Sequence, residues 1–221
     1  MITVIGSINM DLVVQMDVFP KQGETVLGSL FTTVPGGKGA NQAVSAARLG
    51  SQVKMLGAVG SDSFGTELRA NLNEENIDTS LVMTTNGATG IANILLYESD
   101  NRIVVVPGAN SKVTPQVIAS AKTVIENSQL VVMQLEIPVE TIEYSLNLCK
   151  ELQVPVLFNP APAASFNIEW MPYIEYLTPN ETECALLFGD DMEAALESYP
   201  NQLIVTLGDN GARYFDGTKH I

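Results

Sequence analysis

Short apolar runs rich in β-branched residues recur along this chain and alternate with segments of helical period. Strands that are buried on both faces are almost continuously apolar, and helices that connect them cover the two faces of the sheet. The pattern therefore predicts an α/β fold, a three-layer α/β/α sandwich around a mainly parallel sheet. The predicted strands are Ile2–Ile5, Val53–Val59, Leu130–Leu135, Val154–Phe158, Tyr176–Leu177 and Leu203–Thr206.

Helical segments lie between these strands. Thr114 followed by Pro115 is typical of a helix N-cap with proline at the first helical position. Gly189 is typical of the residue that follows the end of a helix, here the helix before it. The predicted helices are Gln42–Leu49, Gln116–Asn127, Val139–Leu152 and Glu181–Phe188.

Two regions depart from the parallel pattern and indicate antiparallel hairpins. The first joins Leu12–Val18 to Glu24–Val34, and the second joins Gly90–Tyr97 to Arg102–Pro107 around a turn at Glu98–Asn101. We expect them to form a small second sheet from about 12–34 and 90–107, either a lid over a pocket or a subunit interface. The alternative is a pair of edge hairpins without function. No linker interrupts the chain, so we expect one domain over residues 1–221.

The chain has 221 residues and a formal net charge of −14. This charge disfavours nucleic acid and anionic membrane surfaces as partners. A phosphorylated ligand would need local lysines, backbone amides or a metal ion. The chain starts directly with a strand-like run, which argues against a signal peptide, and no apolar run reaches membrane-spanning length. We therefore expect a cytoplasmic protein.

The reactive side chains exclude several classes of chemistry. Cys149 and Cys184 lie in helical patterns, which favours two buried thiols in a reducing compartment over a disulfide or a metal site. His220 is the only histidine, so a histidine base or a histidine-rich metal site is disfavoured. No Gly-x-Ser-x-Gly elbow is present, and a serine hydrolase has no support.

A glycine-rich cluster lies between an extended stretch and a predicted helix, at Gly36-Gly37-Lys38-Gly39-Ala40-Asn41. Glycines let the backbone approach a ligand closely, and a helix start presents free N–H groups. The cluster predicts a site for something small and hydroxylated or phosphorylated; the alternative is a tight connection. It is not a Walker loop, which needs glycine at Thr32, nor a dinucleotide fingerprint, which needs glycine at Gln42.

Polar side chains follow the predicted strands, at the edge where parallel sheets bind ligands. Carboxylates and amides can hold adjacent hydroxyls, so the set suits a polyol such as a sugar. Each residue also has a structural alternative: turn capping for the first two, helix N-terminal charge for the third and a capping box for the last pair. The residues are Asn9, Asp11, Glu136, Asn180 and Glu183.

These motifs, in this order, resemble the ribokinase-like family of sugar kinases along the whole chain. The glycine-lysine motif with Asn-x-Asp favours the ribose-phosphorylating members over fructokinases and adenosine kinases. The matching segments are Gly6-Ser7-Ile8-Asn9-Met10-Asp11, Gly36 to Ala43, Met133-Gln134-Leu135-Glu136, Asn159-Pro160-Ala161-Pro162-Ala163, Thr178-Pro179-Asn180-Glu181-Thr182-Glu183 and Thr206-Leu207-Gly208.

The resemblance implies an ATP-dependent transfer of phosphate to the 5-hydroxyl of D-ribose, with Mg²⁺ and, in the complete enzyme, K⁺. It implies a homodimer paired through the lid. The implied sugar-binding residues are Asn9, Asp11, Gly37, Lys38, Gly39, Asn41 and Glu136. The implied nucleotide-binding residues are Asn180, Thr206, Gly208, Asp209 and Gly211, with Glu183 organising Mg²⁺ through water.

One departure from the family pattern is large. The family carries its catalytic Asp in a Gly-Ala-Gly-Asp motif that also forms the anion hole, and no such motif occurs up to Ile221. We therefore expect the base to lie beyond Ile221, the monovalent-cation site to be absent, and this chain alone to be inactive. Alternatives are a kinase of a related sugar such as 2-deoxyribose, and a non-catalytic sugar-binding or dimerising remnant.

Overall fold

A computed structural model of the chain describes residues 1–98 and 100–221. Its main sheet has six parallel strands in the order β10-β9-β8-β1-β4-β5. The predicted α/β fold with a mainly parallel sheet is confirmed. The strands are β1 (Ile2–Ile5), β4 (Val53–Gly60), β5 (Asp78–Thr85), β8 (Leu130–Met133), β9 (Val156–Phe158) and β10 (Tyr176–Leu177).

Two separate hydrophobic clusters cover the two faces of this sheet. Successive residues of one strand alternate between them: Val4 belongs to one cluster and Ile5 to the other. The cluster that contains Val4 includes residues of α1 (Lys38–Arg48) and α2 (Ser63–Glu74). The cluster that contains Ile5 includes residues of α5 (Val139–Leu152). This alternation produces the three layers, because each strand has a helix layer on either side.

A second sheet has the strand order β3-β2-β6-β7. Both predicted hairpins are confirmed as antiparallel pairs, and β2 and β6 join them in parallel. Residue 99, inside the turn predicted for the second hairpin, lies outside the described residues. The strands are β2 (Asn9–Met16), β3 (Gly28–Gly36), β6 (Gly90–Tyr97) and β7 (Asp100–Val106).

The helix predicted over Gln116–Asn127 is wrong as a single element. The structure has α3 (Pro115–Ser120) and α4 (Lys122–Glu126), because Ala121 N donates to the carbonyl of Ile118, three residues back, at 3.0 Å. This tighter bond interrupts the α-helical ladder. Thr114 holds the N-cap position with Pro115 at the first turn, but its side chain makes no capping bond.

The strand predicted at Leu203–Thr206 joins the main sheet only through isolated bridges, Leu177 to Leu203 and Asn180 to Thr206. Its ladder is antiparallel, between β11 (Ile204–Thr206) and β12 (Ala212–Tyr214). The remaining helices are α6 (Glu181–Phe188) and α7 (Met192–Ser198). Within the described residues, no helix is both long and apolar enough to span a bilayer.

Candidate active site

The chain leaves the main sheet after β1, enters the second sheet at β2, and returns through β3 to α1. At this crossing the first turn of α1 packs directly on the segment between β1 and β2. A Cβ atom at Gly39 would lie 2.7 Å from the backbone of Gly6 and Ser7, and Ala40 N donates to the carbonyl of Ser7 at 2.9 Å. Only glycine allows so close an approach of two backbones.

The helix α1 begins at Lys38, four residues earlier than predicted, so the glycine-lysine cluster is a strand-to-helix junction rather than a loop. The N–H of Lys38 donates to Glu136 Oε2 at 3.1 Å, and the N–H of Gly39 donates to Ser7 Oγ at 3.3 Å. The Ser7 hydroxyl in turn donates to the same Oε2 at 2.5 Å. The prediction of free N–H groups for an anionic ligand is therefore corrected: the first turn of the helix already holds the Glu136 carboxylate.

Asp11 lies on β2, two residues after Asn9, so the two side chains share one face of the second sheet. Asp11 is paired with Ala92, which is paired with Val105, and paired residues also share a face. The carboxylate of Asp11 lies against the backbone of Gly36, where any side chain would overlap it. Burial, and secondarily the negative charge of Glu136, raise the pKa of Asp11 above its ordinary value.

A cleft of about 700 Å³ opens between this face of the second sheet and the main domain. Its walls include Val105 and Ile103 of β7, and it is lined by three of the predicted site residues, Lys38, Glu136 and Glu183. This volume is within the range of small-molecule sites. Because Asp11 shares its sheet face with Val105, the cleft brings carboxylates of both sheets to one side of the molecule.

Glu183 brings the start of α6 to the wall of the cleft. Asn180 Oδ1 accepts from Glu183 N at 2.8 Å, and Glu183 Oε2 accepts from Asn180 N at 2.9 Å. The capping box considered as an alternative is thus confirmed, and it leaves Glu183 Oε1 as the oxygen outside the box. The structure also brings Thr206 to this point, since its N–H donates to the carbonyl of Pro179 at 2.9 Å.

The other predicted site residues are spread more widely. Gly208, Asp209 and Gly211 lie in the exposed turn between β11 and β12, where both glycines have positive φ. Asn41 is exposed and lines a separate cavity of about 270 Å³, together with Arg48. The roles of all these residues stay predictions.

Two residues of the site region were missed as individual candidates. Ser7 is fully buried and links Glu136 to the start of α1; its position two residues after the end of β1 was the available signal. Asn110 is buried and donates to the side chain of Asn9 at 2.7 Å. It follows β7 in a short 3-10 turn, and no periodic pattern marks it.

Residues 1–98 and 100–221 contain no group of three or more His, Cys, Asp or Glu side chains able to hold a metal ion. A metal site built from protein ligands alone is therefore not found among them. A Mg²⁺ ion that keeps most of its waters and its nucleotide phosphates needs only one or two carboxylates from the protein. The single Glu183 carboxylate at the cleft fits that second arrangement.

A family model described as pfkB family carbohydrate kinase matches residues 1–221. The chain is 48% identical over 218 residues to a ribokinase of Lactococcus lactis, covering 98% of this chain and 73% of that protein. It is 38% identical over 233 residues to a deoxyribokinase of Salmonella typhi, covering 100% of this chain and 76% of that protein.

Solved structures give the same result for the fold. The crystal structure of a ribokinase from Thermotoga maritima matches with a TM-score of 0.88 at 34% identity, over 100% of this chain and 76% of that one. A ribokinase of Arabidopsis thaliana complexed with ribose and ATP matches with a TM-score of 0.84 at 29% identity, over 100% of this chain and 76% of that one.

Proposed function

The chain belongs to the pfkB family of carbohydrate kinases, and from this premise we propose that, in the complete enzyme, its cleft serves the transfer of the ATP γ-phosphate to the 5-hydroxyl of D-ribose. The observation that carries the proposal is the convergence of Glu136 and Asp11 on one side of the molecule, with Lys38 at the same cleft. Two half-buried carboxylates, Glu136 lining the cleft and Asp11 on the sheet face that borders it, can accept hydrogen bonds from adjacent sugar hydroxyls. Relatives named ribokinase at up to 48% identity support this substrate.

The sugar end of the cleft is proposed to use carboxylate and amide side chains. Glu136 Oε2 is engaged by Ser7 and the Lys38 N–H, so it is held in place and its Oε1 is left for a hydroxyl. Gly37 and Gly39 contribute by letting the first turn of α1 lie against the β1–β2 segment. The proposed sugar-binding set is Asn9, Asp11, Gly37, Lys38, Gly39, Asn41 and Glu136.

The nucleotide end is proposed to lie at the start of α6 and the β11–β12 turn. Asn180 and Thr206 are brought together there by the bridge between them. Glu183 would organise Mg²⁺ through water, and the ion would neutralise charge on the transferred phosphate. The proposed nucleotide-binding set is Asn180, Thr206, Gly208, Asp209 and Gly211.

Turnover by this chain alone is not expected, since its 221 residues contain no Gly-Ala-Gly-Asp run to supply a base and an anion hole. We therefore propose that the chain binds sugar without phosphorylating it. An ATP-dependent kinase assay with ribose tests this point directly. Turnover at the rate usual for a kinase, about 1–100 per second, would contradict it.

The sugar-binding test uses titration calorimetry with D-ribose on the chain and on the variant Asp11→Asn. Loss of one charge-assisted hydrogen bond costs about 1.5–3 kcal/mol, so the variant should bind ribose at least about tenfold more weakly. Asp17→Asn is the matched control, because Asp17 is exposed just beyond the end of the same strand. Equal weakening by both variants, or no binding by the chain itself, would count against the proposed site.

A second candidate substrate is 2-deoxyribose. The observation that favours it is the deoxyribokinase of Salmonella typhi among the relatives, at 38% identity. One missing hydroxyl is discriminated by a few hydrogen bonds. Calorimetry with the two sugars on the same protein preparation decides between them by which one binds more tightly.

The proposal also covers the oligomeric state of the protein and its cellular compartment. We infer a homodimer formed through the second sheet, whose edge strand β7 exposes Ile103, Val104, Val105 and Val106 by 43–60%.

Cytoplasmic residence is supported by Cys149 and Cys184, which are both free and buried. Burial raises the pKa of the Cys149 thiol to about 12, which keeps it protonated and unreactive.

A further inference from the structure

Asn110 lies beneath the crossing between the two sheets and is only 1% exposed. Its carboxamide bonds the two residues with which the chain enters β2. Its Oδ1 accepts from Ile8 N at 3.0 Å, and its Nδ2 donates to Ile8 O at 3.2 Å and to Asn9 Oδ1 at 2.7 Å. No larger residue fits beside this arrangement, because a side chain at Gly90 would overlap Asn9 Oδ1 and Asn110 Nδ2.

The polarity of this network follows from one group whose role is fixed. The Ile8 N–H can only donate, so the atom of Asn110 that faces it must be the carbonyl oxygen. The opposite atom of Asn110 is then the amide nitrogen, which can only donate. The atom of Asn9 that receives this bond must therefore be Oδ1. The orientation of both amides is thus set by a backbone group rather than chosen freely.

We propose that Asn110 is a positioning residue that holds the oxygen of Asn9 inward and leaves the Asn9 NH₂ group as a donor for the substrate. The proposal rests on the proposed sugar site, of which Asn9 is a member. Asn9 shares its sheet face with Asp11. The pair presents a donor beside an acceptor, which matches a hydroxyl or two adjacent hydroxyls of a sugar, each able to accept from Asn9 and donate to Asp11.

The fixed orientation of the Asn9 carboxamide matters for binding. If the amide could rotate freely, it would present its oxygen, rather than its NH₂ group, to the substrate for part of the time. That orientation would place two acceptors, Asn9 Oδ1 and the Asp11 carboxylate, on one face of the strand. A sugar hydroxyl has a single proton to donate and could satisfy only one of them. Preorganisation by Asn110 removes this competing state and the entropic cost of leaving it.

The first test needs no ligand and uses side-chain amide proton exchange, followed by NMR on the 221-residue chain. In the wild type, the Asn9 NH₂ protons should exchange faster than those of Asn110, because the Asn110 nitrogen donates two hydrogen bonds, whereas Asn9, which is 2% exposed, has its NH₂ group protected by burial alone. In Asn110→Asp the carboxylate accepts from Ile8 N, and Asn9 should turn to donate to it, so that its NH₂ becomes protected. An Asn9 NH₂ as strongly protected as that of Asn110 in the wild type would overturn the proposal even if the variant fails to fold.

The second test measures ribose binding by calorimetry. Asn110→Asp should bind at least about tenfold more weakly than the wild type, because Asn9 then presents an acceptor. Asn147→Asp makes the same chemical change on exposed α5 and should leave affinity unchanged. Wild-type affinity in Asn110→Asp would overturn the proposal. If the wild type itself binds no ribose, the proposed function fails, while the exchange experiment still decides the orientation of Asn9.

Discussion

Two structural demands, on backbone conformation and on space, both require glycine at position 37. Its φ is +92°, and a Cβ atom there would lie 2.7 Å from the backbone nitrogen of Asn9 and 2.9 Å from the carbonyl of Ser7. The first demand comes from the turn between β3 and α1, and the second from the packing of that turn on the β1–β2 segment. At the scale of single residues, the site depends on backbone contact as much as on side-chain chemistry.

Gly37→Ala should lower the free energy of unfolding by about 2–4 kcal/mol, since it adds steric overlap to the cost of a left-handed residue. Gly50→Ala separates the two effects: Gly50 has φ +90°, but no atom of residues 1–98 and 100–221 lies within 4 Å of its Cβ position. That control should lose only about 1 kcal/mol. Urea denaturation of both variants measures the difference, and equal losses would mean that the contact with Asn9 is not rigid.

Asp11→Asn should stabilise the protein at neutral pH while weakening sugar binding. Burial and Glu136 raise the folded-state pKa of Asp11, so the charged carboxylate is disfavoured in the folded state. The wild type therefore loses stability as pH rises above the ordinary aspartate pKa, about 3.9, and keeps that penalty at pH 7. Urea midpoints should be higher for the variant at pH 7 and equal at pH 3. A lower midpoint at pH 7 would contradict this assignment.

At the scale of elements, Asp62 connects the start of α2 to the entry of the second sheet. Its Oδ1 accepts from Gly65 N at 2.9 Å as the helix cap, and its Oδ2 accepts from Thr89 N at 2.8 Å. The Thr89 hydroxyl also donates to Asp62, and accepts from Gly60 N at 2.9 Å. Burial acts to raise the pKa of Asp62, but the hydrogen bonds from Thr89 and Gly65 outweigh it and lower the pKa.

Asp62→Ala should lower the free energy of unfolding by about 2–3 kcal/mol, because the helix cap and two bonds to Thr89 are lost together. Asp191→Ala removes the corresponding cap of α7, where the side chain accepts, among the described residues, from Ala194 N alone, and should cost about 1 kcal/mol. Because the pKa of Asp62 is lowered in the folded state, its contribution is present above the ordinary aspartate pKa and is lost as pH falls below it. Chemical denaturation at pH 7 and pH 3 measures both effects; equal costs for the two caps would contradict the connection.

At the scale of the whole molecule, the second sheet has an apolar row that crosses three strands on its cleft-facing side. Val13 is paired with Ile94, which is paired with Ile103. On the opposite face, the neighbouring row contains Asn93 between Leu12 and Val104. Apolar surface is what a second copy of the chain would bury in a stable interface. The uninterrupted apolar row, which extends from the cleft across three strands, is therefore the proposed contact surface.

Ile103→Glu should therefore convert the proposed dimer to a monomer, as measured by light scattering after size-exclusion chromatography. Val104→Glu is the matched control, because Val104 is the next residue, points to the other face and is 60% exposed against 51% for Ile103. A charge buried in an interface without a partner costs several kcal/mol. Dissociation by Val104→Glu alone would place the interface on the opposite face.

Much of the architecture could be predicted because its signals are local. The strands β1 and β8 were recognised as apolar runs, and the capping box of Asn180 and Glu183 from a spacing of three residues. The strand β5 and the helix α2 were missed: β5 is an edge strand that alternates exposed Asp78 and Ser80 with buried positions, and so lacks a continuous apolar run. The break at Ala121 was missed because a local change of hydrogen bonding leaves the apolar period intact.

The sequence by itself determined the α/β class, most of the strands and helices, and the polar residues that follow the strands, because periodicity, capping and turn chemistry act over a few residues. Tertiary structure alone decided how those residues are used. Glu136 meets the start of α1 across 98 positions of sequence, and Asn110 sets the amide of Asn9 across 101. Such contacts depend on where whole strands and helices are packed, and the direction of an amide depends on which neighbour must donate.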